Sequence, residues 1–216
     1  WNFGGESVPP DLFIPILERD NLIQKAGRWV FEQAVCRCMR LVACIPDFYL
    51  TFNVSLQQLS DTGLTDFMRA TLKKYHLDGT HLMAEMTESC MDEQPEKLLH
   101  FVDACREMGI QIALDDFGSG YSSLRMLLQY PSNMIKLDRS LLAEMEESAD
   151  KMSFISSIVY ACHQFGKKVC MEGVENKAQD AMVKKAGCDM IQGYYYYKPM
   201  EVAEMYRQIT QEQPDL

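Results

Sequence analysis

Six apolar runs in this chain each stop at a polar or charged residue, and they recur at the spacing of one strand, one helix and two short loops. The runs are Tyr49 to Phe52, Leu82 to Ala84, Ile110 to Leu114, Met134 to Ile135, Val169 to Met171 and Met190 to Ile191. They end at Asn53, Glu85, Asp115 with Asp116, Lys136, Glu172 and Gln192. Consecutive members lie roughly 20 to 36 residues apart, the length of a β/α unit. Parallel strands that carry polar groups at their carboxyl ends point to an α/β fold of the (β/α)-barrel type, with its chemistry gathered on one rim.

At 216 residues and 47% apolar content the chain fills one core and is short for two, so a single domain over 1–216 is expected. No apolar run approaches the ~18 residues a membrane span needs, and no charged-then-apolar leader opens the sequence. A net charge of −10 disfavours DNA and anionic membrane surfaces as partners. An anionic ligand would need local cations to overcome that field. The eight cysteines are scattered through expected helices and strands, which reads as reduced thiols in a cytoplasmic protein rather than a disulfide framework. Cys36 and Cys38 are two apart on a helix and point apart, and His76, His81, His100 and His163 show no ligand spacing, so a metal here would be held by oxygen.

The expected layout begins with a loop rich in Gly and Pro (Gly4, Gly5, Pro9, Pro10), followed by a long helix from Asn21 to about Leu41. Strands are expected at 49–54, 81–86, 110–114, 133–137, 168–172 and 189–192. Helices fall at 62–75, 94–108, up to Gln129, 148–165, 176–186 and from Val202. Gly109, Gly166 and Gly187 stand where helices end, as left-handed caps. A closed barrel of this class needs eight strands, so two are missing, and Trp1 is no natural start. The reading places a cut just upstream of Trp1.

Asp115 and Asp116 are adjacent carboxylates, and two such charges at close range repel unless a cation lies between them. With Glu85 and Asn53 at neighbouring strand ends they offer hard oxygen ligands for Mg²⁺ or Mn²⁺. Any one of these residues could merely cap a helix or satisfy a loop, but all of them on one rim point to a site. Lys136 lies within Met-Ile-Lys-Leu-Asp, where covering helices leave little solvent for a snorkelling side chain, so it reads as a rim lysine that holds a phosphate or a nucleophilic water. Glu172 and Glu175, in Met-Glu-Gly-Val-Glu, are candidates to cap the next helix, one of them facing the site.

These segments resemble the EAL domain family of cyclic-di-GMP phosphodiesterases over nearly the entire chain. The matching stretches are FIPILERDNLI (13–23), FNVS (52–55), EMTES (85–89), DDFGSGYSSL (115–124), IKLDRS (135–140), EGVE (172–175) and QGYYYYKP (192–199). DFG alone would suggest a kinase, but no HRD or glycine-rich phosphate loop accompanies it. The resemblance implies a TIM-like (β/α)8 barrel with one antiparallel strand, which hydrolyses one phosphodiester of cyclic di-GMP to linear pGpG with two Mg²⁺ or Mn²⁺ ions, Ca²⁺ being inhibitory. It implies Asn53, Glu85, Asp115 and Asp116 as metal ligands and Lys136, Glu172 and Asp116 as the catalytic groups. Gln192 and Glu175 are implied at the substrate, and Glu88 as the carboxylate that anchors the loop Asp116–Ser123. A homodimer is implied too, with a cyclase-like or sensor domain upstream and no DNA or direct membrane contact.

KLD stands where the family more usually has KID, and Met171 where small residues precede EGVE; both read as packing changes. Trp1 matches the tryptophan that shortly follows the family's EAL motif, which puts the motif glutamate and a phosphate-binding arginine upstream. A piece without them is expected to be a weak catalyst or none. Two alternatives stand beside catalysis: a receptor that binds cyclic di-GMP without turnover, and a scaffold acting through helix surfaces. The matched ligands favour catalysis.

Overall fold

The computed structural model describes residues 2–4, 6–119 and 124–212. It divides into two compact units, Trp1–Ala113 and Leu114–Leu216.

The first unit opens with β1 (Asn2–Phe3) and β2 (Glu6–Ser7), an antiparallel pair with Asn2 opposite Ser7. Then come α1 (Pro10–Arg19), α2 (Ile23–Val42), β3 (Leu50–Asn53), α3 (Leu64–Tyr75), β4 (Leu82–Thr87), α4 (Ser89–Glu93) and α5 (Pro95–Glu107). The expected Gly/Pro-rich opening loop is thus largely a helix, because Pro10 sits in the first turn, where a missing N–H costs nothing. The long helix is present, with Phe31, Val35, Cys38 and Leu41 buried along one face. Phe31 packs edge-on against Phe52 of β3 at 5.1 Å between ring centroids. β3 and β4 pair in parallel, and that register sets Asn53 beside Glu85. Beneath α3, Arg28 makes a two-pronged contact with Asp61, Nε to Oδ2 at 2.8 Å and Nη2 to Oδ1 at 2.7 Å.

The division falls inside β5 (Gln111–Phe117). The second unit continues with α6 (Leu124–Gln129), β6 (Met134–Leu137), α7 (Arg139–Glu147), α8 (Ala149–Gln164), β7 (Lys168–Met171), α9 (Lys177–Ala186), β8 (Met190–Ile191) and α10 (Val202–Glu212). β6 pairs in parallel with β7, and β7 with β8. The sheet order from β3 to β8 follows the chain, the pattern of successive β/α units, so the six expected strands are all present. The two short strands at the start form a separate sheet and do not extend the six. α7 had no counterpart in the sequence reading; Asp138 caps it by accepting from the Ser140 amide at 2.9 Å. Every residue of β6 is buried, as a strand covered on both faces should be. The turn leading into it is closed by the buried Lys167, whose Nζ donates to the carbonyls of Tyr130 at 2.7 Å and Ser132 at 3.0 Å.

Gly109, Gly166 and Gly187 all take the left-handed backbone expected after a helix. The eight cysteines form no disulfide, and burial pushes the thiols of Cys38 and Cys162 up to about 11 and those of Cys105 and Cys188 up to about 12. Thiols held so far above neutrality are packing groups. Among the described residues, no helix is long and apolar enough to cross a membrane. Trp1, on which the upstream reading rests, lies outside the described residues.

Candidate metal and catalytic centre

Side chains on a regular strand alternate between faces, so two adjacent carboxylates on β5 would ordinarily point apart. The backbone of Asp116 breaks that alternation. Its φ is 55°, the left-handed region that aspartate tolerates better than most residues. Oxygens of Asp115, Asp116 and Glu172 then lie within 4.8 Å of one another. Asp116 is exposed as a residue, yet partial burial of its carboxyl, followed by the charges of Asp115 and Asp138, holds it above the usual carboxylate range, with Lys136 pulling the other way. Three carboxylates this close repel one another unless positive charge lies beside them.

Part of that charge comes from Lys136. β6 delivers it only 5% exposed, which excludes a snorkelling surface lysine. Its Nζ lies 2.8 Å from Asp115 Oδ1 and 2.6 Å from Glu172 Oε1, so one buried ammonium joins the ends of β5 and β7. Glu172 reaches it because the chain leaves β7 with the Glu172 amide on the Leu137 carbonyl at 3.0 Å and turns at Gly173. Gly173 has φ 74°, and a Cβ there would lie 2.5 Å from Arg139 Cβ, so only glycine fits. Gly118 plays the same part after Asp116: φ is 98° and a Cβ would meet Leu141 Cδ1 at 2.5 Å.

The remaining sequence candidates fall as follows. Asn53 and Glu85 are register partners in the first unit, Glu85 buried and Asn53 exposed. Gln192 follows β8 with its amide bound to the Met171 carbonyl at 2.9 Å, its side chain exposed. Neither Glu172 nor Glu175 caps the next helix. That cap is Asn176, which accepts from the amides of Ala178 and Gln179 at 3.0 Å each, while Gln179 Oε1 accepts from the Glu175 amide at 2.8 Å. Asparagine directly before a helical pattern carries that signal in the sequence. Glu175 is exposed and lies outside the acidic cluster. Glu88 stands just before α4, and the loop it was expected to anchor includes 120–123, outside the described residues. The glycines after DDF and after Glu172 were the missed functional positions; Gly173 directly follows Glu172, and Gly118 lies two residues after Asp116.

The donor set fits a hard divalent cation: three carboxylates with a buried ammonium beside two of them, and no sulfur or imidazole among the clustered ligands.

The family model described as the EAL domain matches residues 1–199. The chain is 34% identical over 200 residues to the Pseudomonas aeruginosa protein named bifunctional diguanylate cyclase/cyclic di-GMP phosphodiesterase MucR, covering 92% of this chain and 29% of that one. It is 34% identical over 201 residues to the cyclic di-GMP phosphodiesterase RocR of the same organism, covering 93% of this chain and 51% of that one. It thus spans about half the length of those curated relatives or less. A structure titled as the PaMucR phosphodiesterase in complex with c-di-GMP superposes with a TM-score of 0.85 at 33% identity, covering 95% of this chain and 84% of that one. The EAL enzyme Bd1971, in its cAMP and cyclic-di-GMP bound form, gives a TM-score of 0.89 at 26% identity, covering 97% of this chain and 58% of that one.

Proposed function

The chain belongs to the EAL domain family, and from that premise we propose that in its intact form the protein hydrolyses one phosphodiester bond of cyclic di-GMP to linear pGpG, with divalent metal ions as cofactors. One observation carries this reading: the convergence of Asp115, Asp116 and Glu172 on one point with Lys136 buried among them. A structural ion pair would need one acid for one base. Here Lys136 meets two of three clustered carboxylates, an arrangement whose charge a divalent cation would balance.

In this proposal Asp115 and Asp116 hold metal, with Asn53 and Glu85 as further ligands on the strength of the resemblance. The ions are Mg²⁺ or Mn²⁺, which when bound supply Lewis acidity to the phosphate and to the attacking water; Ca²⁺ is inhibitory. Lys136 keeps a fixed positive charge where the phosphoryl oxygens gather negative charge, and its contact with Glu172 aims that carboxylate. Glu172 takes the proton from the attacking water, and Gln192 and Glu175 contact the substrate. Glu88 anchors the loop Asp116–Ser123. The domain acts in the cytoplasm as a homodimer, within a protein that carries cyclase-like or sensor domains as its longer relatives do. It contacts neither DNA nor the membrane directly.

The test is incubation of the full-length protein with cyclic di-GMP and Mg²⁺ or Mn²⁺, with the product resolved by chromatography. Linear pGpG is expected, and EDTA should abolish it. Tight binding without product would contradict the enzymatic reading and favour a receptor.

A further inference from the structure

The turns that follow β7 and β8 are laced together by the backbone. The Val174 amide donates to the Gln192 carbonyl at 3.2 Å, and the Tyr195 amide to the Val174 carbonyl at 3.0 Å. Gly193 permits the approach: a Cβ there would lie 2.1 Å from Val174 O and 2.4 Å from Val174 N, both backbone atoms that have no rotamer to escape by. Glu172 lies two residues before Val174, so whatever holds the second turn also sets the chain that presents Glu172 to Lys136.

Besides these backbone bonds, a side-chain contact ties the second turn to α9. Tyr196 Oη donates to Asp180 Oδ1 at 2.5 Å, and the other oxygen of Asp180 accepts from Lys184 Nζ at 2.9 Å. Asp180 is only 7% exposed, unusual for an aspartate on a helix face, whereas Tyr196 is 43% exposed. The ring of Tyr196 meets that of Tyr195 edge-on at 5.3 Å between centroids, within the same turn, so the hydroxyl contact to the Asp180 carboxylate is what ties it to α9. The tyrosine run Tyr194–Tyr197 is otherwise exposed, at 40–57%.

We propose that Asp180 and Tyr196 are positioning residues for the reaction: their hydrogen bond pins the Gln192–Tyr195 turn against Val174, and through it fixes Glu172 and Gln192. This rests on the phosphodiesterase reading above. Neither residue touches the reacting atoms, and both act through the backbone of Val174.

Three variants test it: Tyr196→Phe, Asp180→Ala and the conservative Asp180→Asn, which keeps an acceptor for the tyrosine hydroxyl. Amide hydrogen exchange is read at Val174 and Tyr195, alongside steady-state kinetics and thermal melting. Tyr196→Phe is expected to speed exchange at those two amides while β6 and β7 keep wild-type protection, and to lower kcat about tenfold with KM within about twofold. Asp180→Ala should match it. Asp180→Asn should recover much of both losses, which a general loss of stability would not produce. Wild-type exchange at Val174 and Tyr195 in Tyr196→Phe overturns the proposal, as does faster exchange with unchanged kcat. The kinetics are read on the full-length protein; should its wild type hydrolyse nothing, the phosphodiesterase reading is what fails, and the exchange comparison alone decides whether the pair holds the turns.

Discussion

Replacing Lys136 with methionine keeps the unbranched apolar stem of the side chain and removes its charged end. The ammonium it deletes is 2.8 Å from Asp115 and 2.6 Å from Glu172, with side-chain exposures of 6%, 13% and 17% for the three groups. Exposures this low take the pair out of the surface regime, in which an ion pair contributes about 0 to 1 kcal/mol. Removing one partner of a buried pair instead costs about 3 to 5 kcal/mol, because the other charge is left buried and uncompensated. The two acids here keep some contact with water, which favours the low end, about 3 kcal/mol. For a chain of this size that lowers the Tm by about 6 to 12 °C. The assay is thermal unfolding at pH 7 in EDTA. Added Mn²⁺ should raise the Tm of Lys136→Met more than that of the wild type, since a cation then meets acids that have lost their lysine. A Tm within about 2 °C of wild type in EDTA would refute the reasoning, since it would mean that water, rather than Lys136, neutralises the cluster.

Two further predictions concern the first unit. The Arg28 guanidinium, aided by the Gly63 amide, holds the Asp61 carboxyl below its usual range against the opposing effect of burial, so the stability it contributes is present above the unfolded pKa and lost as pH falls through the folded one. Asp61→Asn should therefore melt lower at pH 7 by an amount set by about 1 kcal/mol, modest because Arg28 is partly solvated, and the gap should close on acidification; a gap that ignores pH refutes the assignment. A Cβ on the buried Gly79 would lie 2.0 Å from the Met108 carbonyl oxygen, so Gly79→Ala should cost about 1 to 3 kcal/mol in urea unfolding, and an unchanged midpoint would show that this contact yields freely.

The strands were legible because each is an apolar run cut short by a polar residue, and the run around Lys136 was informative since a lysine inside a doubly covered strand has nowhere to snorkel. The glycine caps at 109, 166 and 187 read correctly for a local reason: left-handed backbone after a helix selects that residue. Helix α1 was hidden because Pro9 and Pro10 read as loop, although a proline in the first turn is itself a helix-start signal. The cap at Asn176 was obscured by Glu172 and Glu175 just before it, whose carboxylates offer the same kind of acceptor to the first turn of the helix. Two features had no local signature at all. The left-handed Asp116 is imposed by the surroundings on a residue that merely tolerates it, and the contacts Lys136–Glu172 and Asp180–Tyr196 join positions set together only by folding.

The central claim is that the acidic cluster drives hydrolysis, and the initial rate of pGpG formation by Asp116→Asn against wild type, both as the full-length protein at saturating Mn²⁺, tests it most directly. Asparagine keeps the shape and tolerates the left-handed backbone, so what changes is one charge beside Asp115 and Glu172. The rate should fall by about 100-fold or more, while affinity for cyclic di-GMP measured with Ca²⁺ changes little, because the loss is of transition-state stabilisation rather than of binding. Wild-type turnover that survives Asp116→Asn, or a wild type that binds cyclic di-GMP and never cleaves it, would contradict the account.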